Sequence, residues 1–424
     1  MKKLVKKAGR GLGRAGEALH KQLFRRGGGR RYASRLRGEI GILHGFSGRM
    51  IVDLSVISQH DAGTGIQRVV RAIAFQLTEN RGSVPFEILF VASRNLKHYK
   101  IDISANGDVV IGEAISYAAG DLFLGLDFAL DTLWQMRRQL VDMRRAGVRF
   151  WYLIYDFLPL TQPQWFSRPL VLRFWNWLAI MAGTADGFFC ISQPVADQVS
   201  QIMRSQFGLA HCPPVVVMPM GWDLAGSRPS SGLPDGFDRL LAQLSSEPAL
   251  LQVGTIEPRK GHADSLAAME LLWQNGSSLQ LVLVGGAGWK MDAFIARLQA
   301  HPEYGRRLHW TGRISDEALD RLYATAIGSI FPSLAEGFGL PVVEALAHGR
   351  PVLARRLNVL APLEGQGVTL FDTDASPATL AGHILQWLDG PARHPPVTPA
   401  SRTTWRDAGD FIMQQMADQR IERK

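Results

Sequence analysis

The stretch Ala249-Leu-Leu-Gln-Val253-Gly254-Thr-Ile-Glu-Pro-Arg259-Lys260-Gly261 sets the architecture. Five residues without a charge make a buried strand, a glycine and a proline break it, and an apolar helical periodicity resumes past Gly261. The unit repeats. Strand-like runs at 279–284, 308–311, 329–331 and 351–354 are each followed, except the last, by a helix-like segment. Alternating β and α elements imply a largely parallel sheet with helices on both faces, and ligands of such sheets sit at the carboxyl ends of the strands. Arg259 and Lys260 stand at one such end. A guanidinium fork beside an ammonium suits a diphosphate whose charge must be offset; the plainer alternative is a solvated basic turn.

Outward toward the C-terminus lies Ser333-Leu-Ala-Glu336-Gly-Phe-Gly-Leu-Pro341-Val-Val-Glu344-Ala-Leu-Ala-His348-Gly349. Pro341 fits a first helical position and Gly349 a C-terminal cap, which predicts a helix over 341–348. The glycines let backbone approach a ligand, and carboxylates at 336 and 344 are strong acceptors for sugar and ribose hydroxyls. Glu344 could equally be an ordinary helix-terminus residue. Asp372-Thr-Asp374 has the form of a metal-binding pair, but it falls at the end of the series, and no metal site is expected there.

A first β/α series precedes the second, with strands expected at 50–57, 86–92, 121–125, 149–155, 187–191 and 215–218. Gln59-His-Asp-Ala-Gly63-Thr-Gly65 separates its first strand from its first helix, an arrangement that holds a phosphate or merely makes a tight turn. Trp151, Trp165, Trp175 and Trp177 suit a core better than a sugar platform, and the lone His60, His262 and His348 read as structural groups. A Gly/Ser/Pro-rich run at 226–234 is the best linker.

Taken together, these residues resemble the retaining glycosyltransferases of the GT-B fold, family 4. The most specific signals are Arg259-Lys260-Gly261 followed by Glu336 and Glu344 eight positions apart, with Gly312-Arg-Ile-Ser-Asp-Glu-Ala-Leu319 and Ser329-Ile-Phe-Pro-Ser333. The amino-terminal half, with Asp61-Ala-Gly-Thr-Gly-Ile-Gln-Arg68 and Ile154-Tyr-Asp-Phe-Leu-Pro159, looks most like mannosyltransferases of bacterial surface polysaccharide and lipopolysaccharide synthesis.

The resemblance implies two Rossmann-like domains facing a cleft, at 41–230 for the acceptor and 231–395 for the sugar-nucleotide donor. A helix in 396–424 would cross back to the first domain. It assigns Arg259 and Lys260 to the donor diphosphate, Glu336 to the donor sugar and Glu344 to the ribose. Gly254, Gly337, Phe338, Gly339 and Leu340 would line the donor, Arg313 and Ile314 the base, and Gly63 and Gly65 the loop closing over it. Many members carry a His where Tyr155 precedes Asp156, which leaves the catalytic part of Asp156 open. The implied donor is a sugar nucleotide, GDP-mannose first and a UDP-sugar as the alternative. The acceptor would be a glycan or lipid-linked oligosaccharide, with no cofactor. A non-catalytic sugar-nucleotide-binding homologue is the other reading.

The 424 residues exceed one core and suit two or three domains; 46% hydrophobic and 20% charged residues exclude wholesale disorder. Net charge is +9, but residues 1–37 hold thirteen Lys/Arg against Glu17 alone, so the remainder is slightly acidic. The predicted tail, residues 1–40, is an amphipathic helix or a disordered arm, with Leu4, Ala8, Leu12, Ala15, Leu19 and Leu23 on one face. Its glycines each cost about 1 kcal/mol in a helix. It is expected to meet an anionic membrane surface from the cytoplasmic side. A near-neutral body without an aromatic RNA-binding signature argues against nucleic acid. Two cysteines are too few for a disulfide framework, no apolar run spans a membrane, and no signal-peptide core follows the amino-terminal lysines.

Overall fold

The structure, a computed structural model, describes residues 28–38, 48–61, 63–103, 109–223, 225–227, 229–390 and 403–421. The expected tail over 1–27 and the domain boundary at 395–396 lie outside these. The chain divides into two compact units. One comprises Met1–Val70, Leu77–Met218 and Asp410–Lys424; the other comprises Arg71–Gln76 and Pro219–Gly409.

The first unit runs α1 (Gly28–Gly38), β1 (Met50–Asp53), α2 (Gly65–Glu79), β2 (Ile88–Arg94), β3 (Lys97–Ile103), β4 (Val109–Ala114) and β5 (Leu122–Gly125). It continues through α3 (Leu130–Arg145), β6 (Arg149–Ile154), α4 (Leu158–Thr161), α5 (Arg168–Thr184), β7 (Gly187–Cys190), α6 (Gln193–Ser205) and β8 (Val215–Val217). The strands form one sheet in the order β4-β3-β2-β1-β5-β6-β7-β8. All pairs are parallel except β2–β3 and β3–β4, which are antiparallel. The central strands are buried along their whole length, as parallel strands covered on both faces must be. Trp151 and Trp177 are buried in this unit, so they are core residues. Gly187 makes room for the former, because a Cβ there would overlap the Trp151 ring.

The boundary expected at residue 40 is corrected here. Residues 28–38 are no tail: α1 packs on α5 with Ala33 and Leu36 buried. Gly183 admits Leu36, since a Cβ there would come within 2.6 Å of its Cδ1. Arg37 donates through Nε to the Ala182 carbonyl at 2.7 Å and through Nη2 to Ala185 at 3.3 Å. A cation on the free carbonyls of a helix end is favourable, so part of the basic charge is structural.

The second unit runs α7 (Phe237–Ser246), β9 (Ala249–Val253), α8 (His262–Gln274), β10 (Gln280–Val284), α9 (Asp292–Gln299), β11 (Leu308–Trp310), α10 (Asp316–Thr325) and β12 (Gly328–Phe331). After these come α11 (Leu340–Ala347), β13 (Val352–Arg355), β14 (Val368–Phe371), α12 (Pro377–Asp389) and the first turn of α13 (Trp405–Ile421), whose later residues belong to the first unit. Its sheet is parallel throughout, in the order β11-β10-β9-β12-β13-β14. Alternate residues feed two apolar layers. Leu251, Val282 and Val352 face one, with α10 and α11; Leu250, Leu281 and Leu353 face the other, with α8 and α12. Helix starts follow local chemistry: Ser315 Oγ accepts from the Ala318 N–H, and Ser376 Oγ from Thr379. Among the described residues no helix is long and apolar enough to cross a membrane.

Candidate functional site at the strand ends of the second unit

Four loops at the carboxyl ends of β9, β10, β11 and β12 are interlocked. Gly254 and Gly285 lie so close that a Cβ on Gly285 would overlap the Gly254 carbonyl, and Gly285 N–H donates to Gly312 at 2.8 Å. Residues 258–260 make one 3-10 turn, and Gly261, at φ 68°, starts α8. A Cβ at 261 would overlap the Pro332 carbonyl oxygen in a left-handed backbone, so both space and conformation require glycine. Leu334 N–H donates to Arg259 O at 2.7 Å, which ties the cation turn to the loop after β12.

The side chains expected to hold the diphosphate and sugar meet there. Arg259 Nη1 and Lys260 Nζ each lie 2.6 Å from a different oxygen of Glu336. Arg259 Nη2 reaches Glu257 Oε1 at 2.8 Å. Burial alone would raise the Glu336 carboxyl. Arg259 and Lys260, with hydrogen bonds from Lys260 and Ser333, outweigh it and hold the group down at about 2. Burial and the neighbouring Arg259 lower the Lys260 ammonium, against the pull of Glu336 and Glu257. Two cations therefore face two carboxylates in a nearly water-free place, where electrostatic forces are strong. Glu257 was missed in the sequence; its only signal is a carboxylate two residues before Arg259.

The other expected residues of this unit lie on the loops that leave the strands and on α11. Gly339, at φ 105°, starts α11, and the 337–340 backbone leads from Glu336 into that helix. Arg313 is exposed beside Gly286, where a Cβ would come within 2.7 Å of its Nε, while Ile314 packs against the apolar layer below. Glu344 is buried on α11 and accepts from Tyr323 Oη at 3.3 Å. His262, buried and lowered to about 3 by burial and by Lys260, is neutral.

Gly63, Gly65 and Asp156 lie on the first unit. Gly63, at φ 61°, donates its N–H to Asp61 Oδ1 at 2.8 Å, and a side chain there would meet only open space. Asp156 is half-buried, and its Oδ1 accepts from Leu158 N–H at 3.0 Å at the start of α4. Tyr155 turns inward and donates to the Leu126 carbonyl at 2.7 Å, with burial raising its phenol well above the ordinary value. Its hydroxyl thus has a fixed partner inside the unit. Two buried carboxylates of this unit also had no sequence signal. Burial raises Asp53 and Asp127 to about 6 each, against hydrogen bonds from Ser55 to the one and from the Ile57, Val56 and Phe128 N–H groups to the other.

Comparison with known proteins finds relatives for this chain. Residues 241–403 match the family described as Glycosyl transferases group 1. Over 378 residues the chain is 32% identical to the serotype-specific mannosyltransferase WbdA of Escherichia coli, covering 87% of this chain and 45% of that protein. It is 36% identical over 150 residues to O-antigen chain mannosyltransferase B of the same species, 34% of this chain and 38% of that one. Among solved structures, sucrose-phosphate synthase of Thermosynechococcus elongatus superposes with a TM-score of 0.58 at 19% identity, over 88% of this chain and 97% of the other, a likeness of fold alone. The chain spans about half the length of the curated relatives it matches first. Over residues 241–403 it is similar to group 1 glycosyltransferases, it has the GT-B fold, and it is similar to mannosyltransferases of O-antigen synthesis.

Proposed function

We propose that the protein transfers a hexose, mannose from GDP-mannose first among the candidates, to a glycan or lipid-linked acceptor in cell-surface polysaccharide synthesis, with retention of anomeric configuration. The observation that carries this reading is the buried meeting of Arg259, Lys260 and Glu336 at the strand ends of a group 1 domain. In the transfer the bond from the anomeric carbon to the β-phosphate oxygen breaks, and its electron pair leaves with the nucleoside diphosphate. The acceptor oxygen bonds the same face of that carbon, and its proton passes to the departing phosphate oxygen. No separate base is required. The chain's work is electrostatic: Arg259 and Lys260 offset the growing diphosphate charge, and Glu336 accepts from sugar hydroxyls beside the positive reacting carbon. That pair of cations supplies the charge a metal ion would bring, so the reading takes no metal.

A UDP-sugar donor fits the same cluster, because the cations address the diphosphate and not the base. Product formed from each donor with lipid-linked acceptor, followed by carbon–proton coupling at the new anomeric centre, tests the reading; an inverted anomer contradicts it. We further propose that the basic amino-terminal residues hold the enzyme at the cytoplasmic face of an anionic membrane. Nine of the thirteen Lys/Arg precede residue 28. Removing residues 1–27 should abolish sedimentation with anionic vesicles and leave transfer to a soluble acceptor intact.

A further inference from the structure

Arg355 ends β13 and is 2% exposed, apart from the cluster that holds Glu336. Its nitrogens reach three separate segments. Nε donates to the Pro332 carbonyl at 3.0 Å, on the loop that leads to Glu336. Nη1 donates to Thr373 O at 2.6 Å, on the loop leaving β14. Nη2 pairs with Asp264 Oδ2 at 2.7 Å, in the first turn of α8, directly behind Lys260 and Gly261. The guanidinium also lies 5.1 Å from the centre of the Phe371 ring. The Pro332 carbonyl is thereby held from two sides, by the Arg355 fork and by Gly261, which packs against the same oxygen. One residue pair further on, Leu334 N–H joins the Arg259 carbonyl.

We propose that Arg355 is a positioning residue for the donor site: it fixes the 332–336 loop against the 259–261 turn, so that Glu336 stays in register with Arg259 and Lys260. It touches none of the reacting groups. The inference rests on the proposed transfer reading and assigns the register of that site to a side chain nineteen positions beyond Glu336. Asp264 is partly exposed, so the ion pair by itself contributes little to stability. What an apolar residue cannot supply is a planar fork that reaches three segments at once.

The test uses the full-length chain, wild type with Arg355→Met, Arg355→Lys, Glu336→Ala and the double variant Arg355→Met/Glu336→Ala, followed by nucleoside diphosphate release and thermal unfolding. Arg355→Met should lower kcat on the order of 100-fold, the scale expected for a misplacement of about 1 Å, and leave the acceptor KM unchanged. Arg355→Lys should recover part of the loss. The double variant should turn over no more slowly than Glu336→Ala alone, because a residue that acts through Glu336 has nothing left to position; a purely structural role predicts additive losses. Wild-type kcat in Arg355→Met, alongside a crippled Glu336→Ala, overturns the inference and leaves the transfer reading standing. Full activity in Glu336→Ala overturns the reading itself. If Arg355→Met does not fold, Arg355→Lys decides: a folded protein with lowered kcat supports the inference, and wild-type kcat refutes it.

Discussion

At the scale of single residues, Glu336 carries the most. Its two oxygens engage different cations, and its carboxyl is held at about 2. A depressed carboxyl stabilises the fold above its unfolded value and loses that contribution as pH falls toward the folded value, so this cluster weakens only in acid below about pH 4.5. Gly261 is the second sensitive point. Gly261→Ala meets both a φ of 68° and the Pro332 oxygen. We expect it to cost about 1–3 kcal/mol, read as a lowered denaturant midpoint, and to depress turnover by displacing Arg259 and Lys260. Arg259, Lys260 and Glu336 were legible in the sequence because the chemistry is compressed into short segments right after buried strands. Glu257 and Arg355 were not. Asp264 and Arg355 are 91 positions apart, and only the parallel order of β9, β12 and β13 makes them neighbours.

Among elements, α1 changes the account of the amino terminus. Its sequence reads as a continuation of a basic arm, since Arg30, Arg31, Arg35 and Arg37 dominate eleven residues. Packing decides otherwise: Leu36 against Gly183 and Arg37 on the end of α5 give the helix a seat. Leu36→Ala should therefore cost about 2–5 kcal/mol, and removal of residues 1–38 should lower the melting temperature where removal of 1–27 does not. The antiparallel β3 and β4 were missed because exposed residues interrupt their apolar pattern, and β14 because four residues carry too little periodicity. The ends of β1 and β5 hold a pH-sensitive feature of opposite sign to Glu336. Asp53 and Asp127 sit at about 6, above the unfolded value, so the native state keeps their protons where the unfolded chain has lost them. Stability of the first unit should fall as pH rises from about 4 to 6, and Asp53→Asn should flatten that slope in urea titrations.

For the whole molecule, the alternation of strand and helix along two stretches was enough to read two largely parallel sheets, and the strand pairing bears that out, with β3 and β4 as the antiparallel exceptions. Sequence comparison added the match of residues 241–403 to group 1 glycosyltransferases and the similarity to mannosyltransferases, over about half of their length. The basic residues before position 28 and the buried cation pair at the strand ends of the second unit have separate parts in this account. The central claim is that Arg259, Lys260 and Glu336 perform sugar transfer from a nucleoside diphosphate donor. The most direct test is nucleoside diphosphate release from GDP-mannose and a panel of other sugar nucleotides, with lipid-linked acceptor present, by wild type and Glu336→Ala. The account predicts acceptor-dependent release from one donor by the wild type, reduced on the order of 100-fold or more by Glu336→Ala with the fold intact. Equal release by both proteins, or none from any donor in the panel, would contradict it.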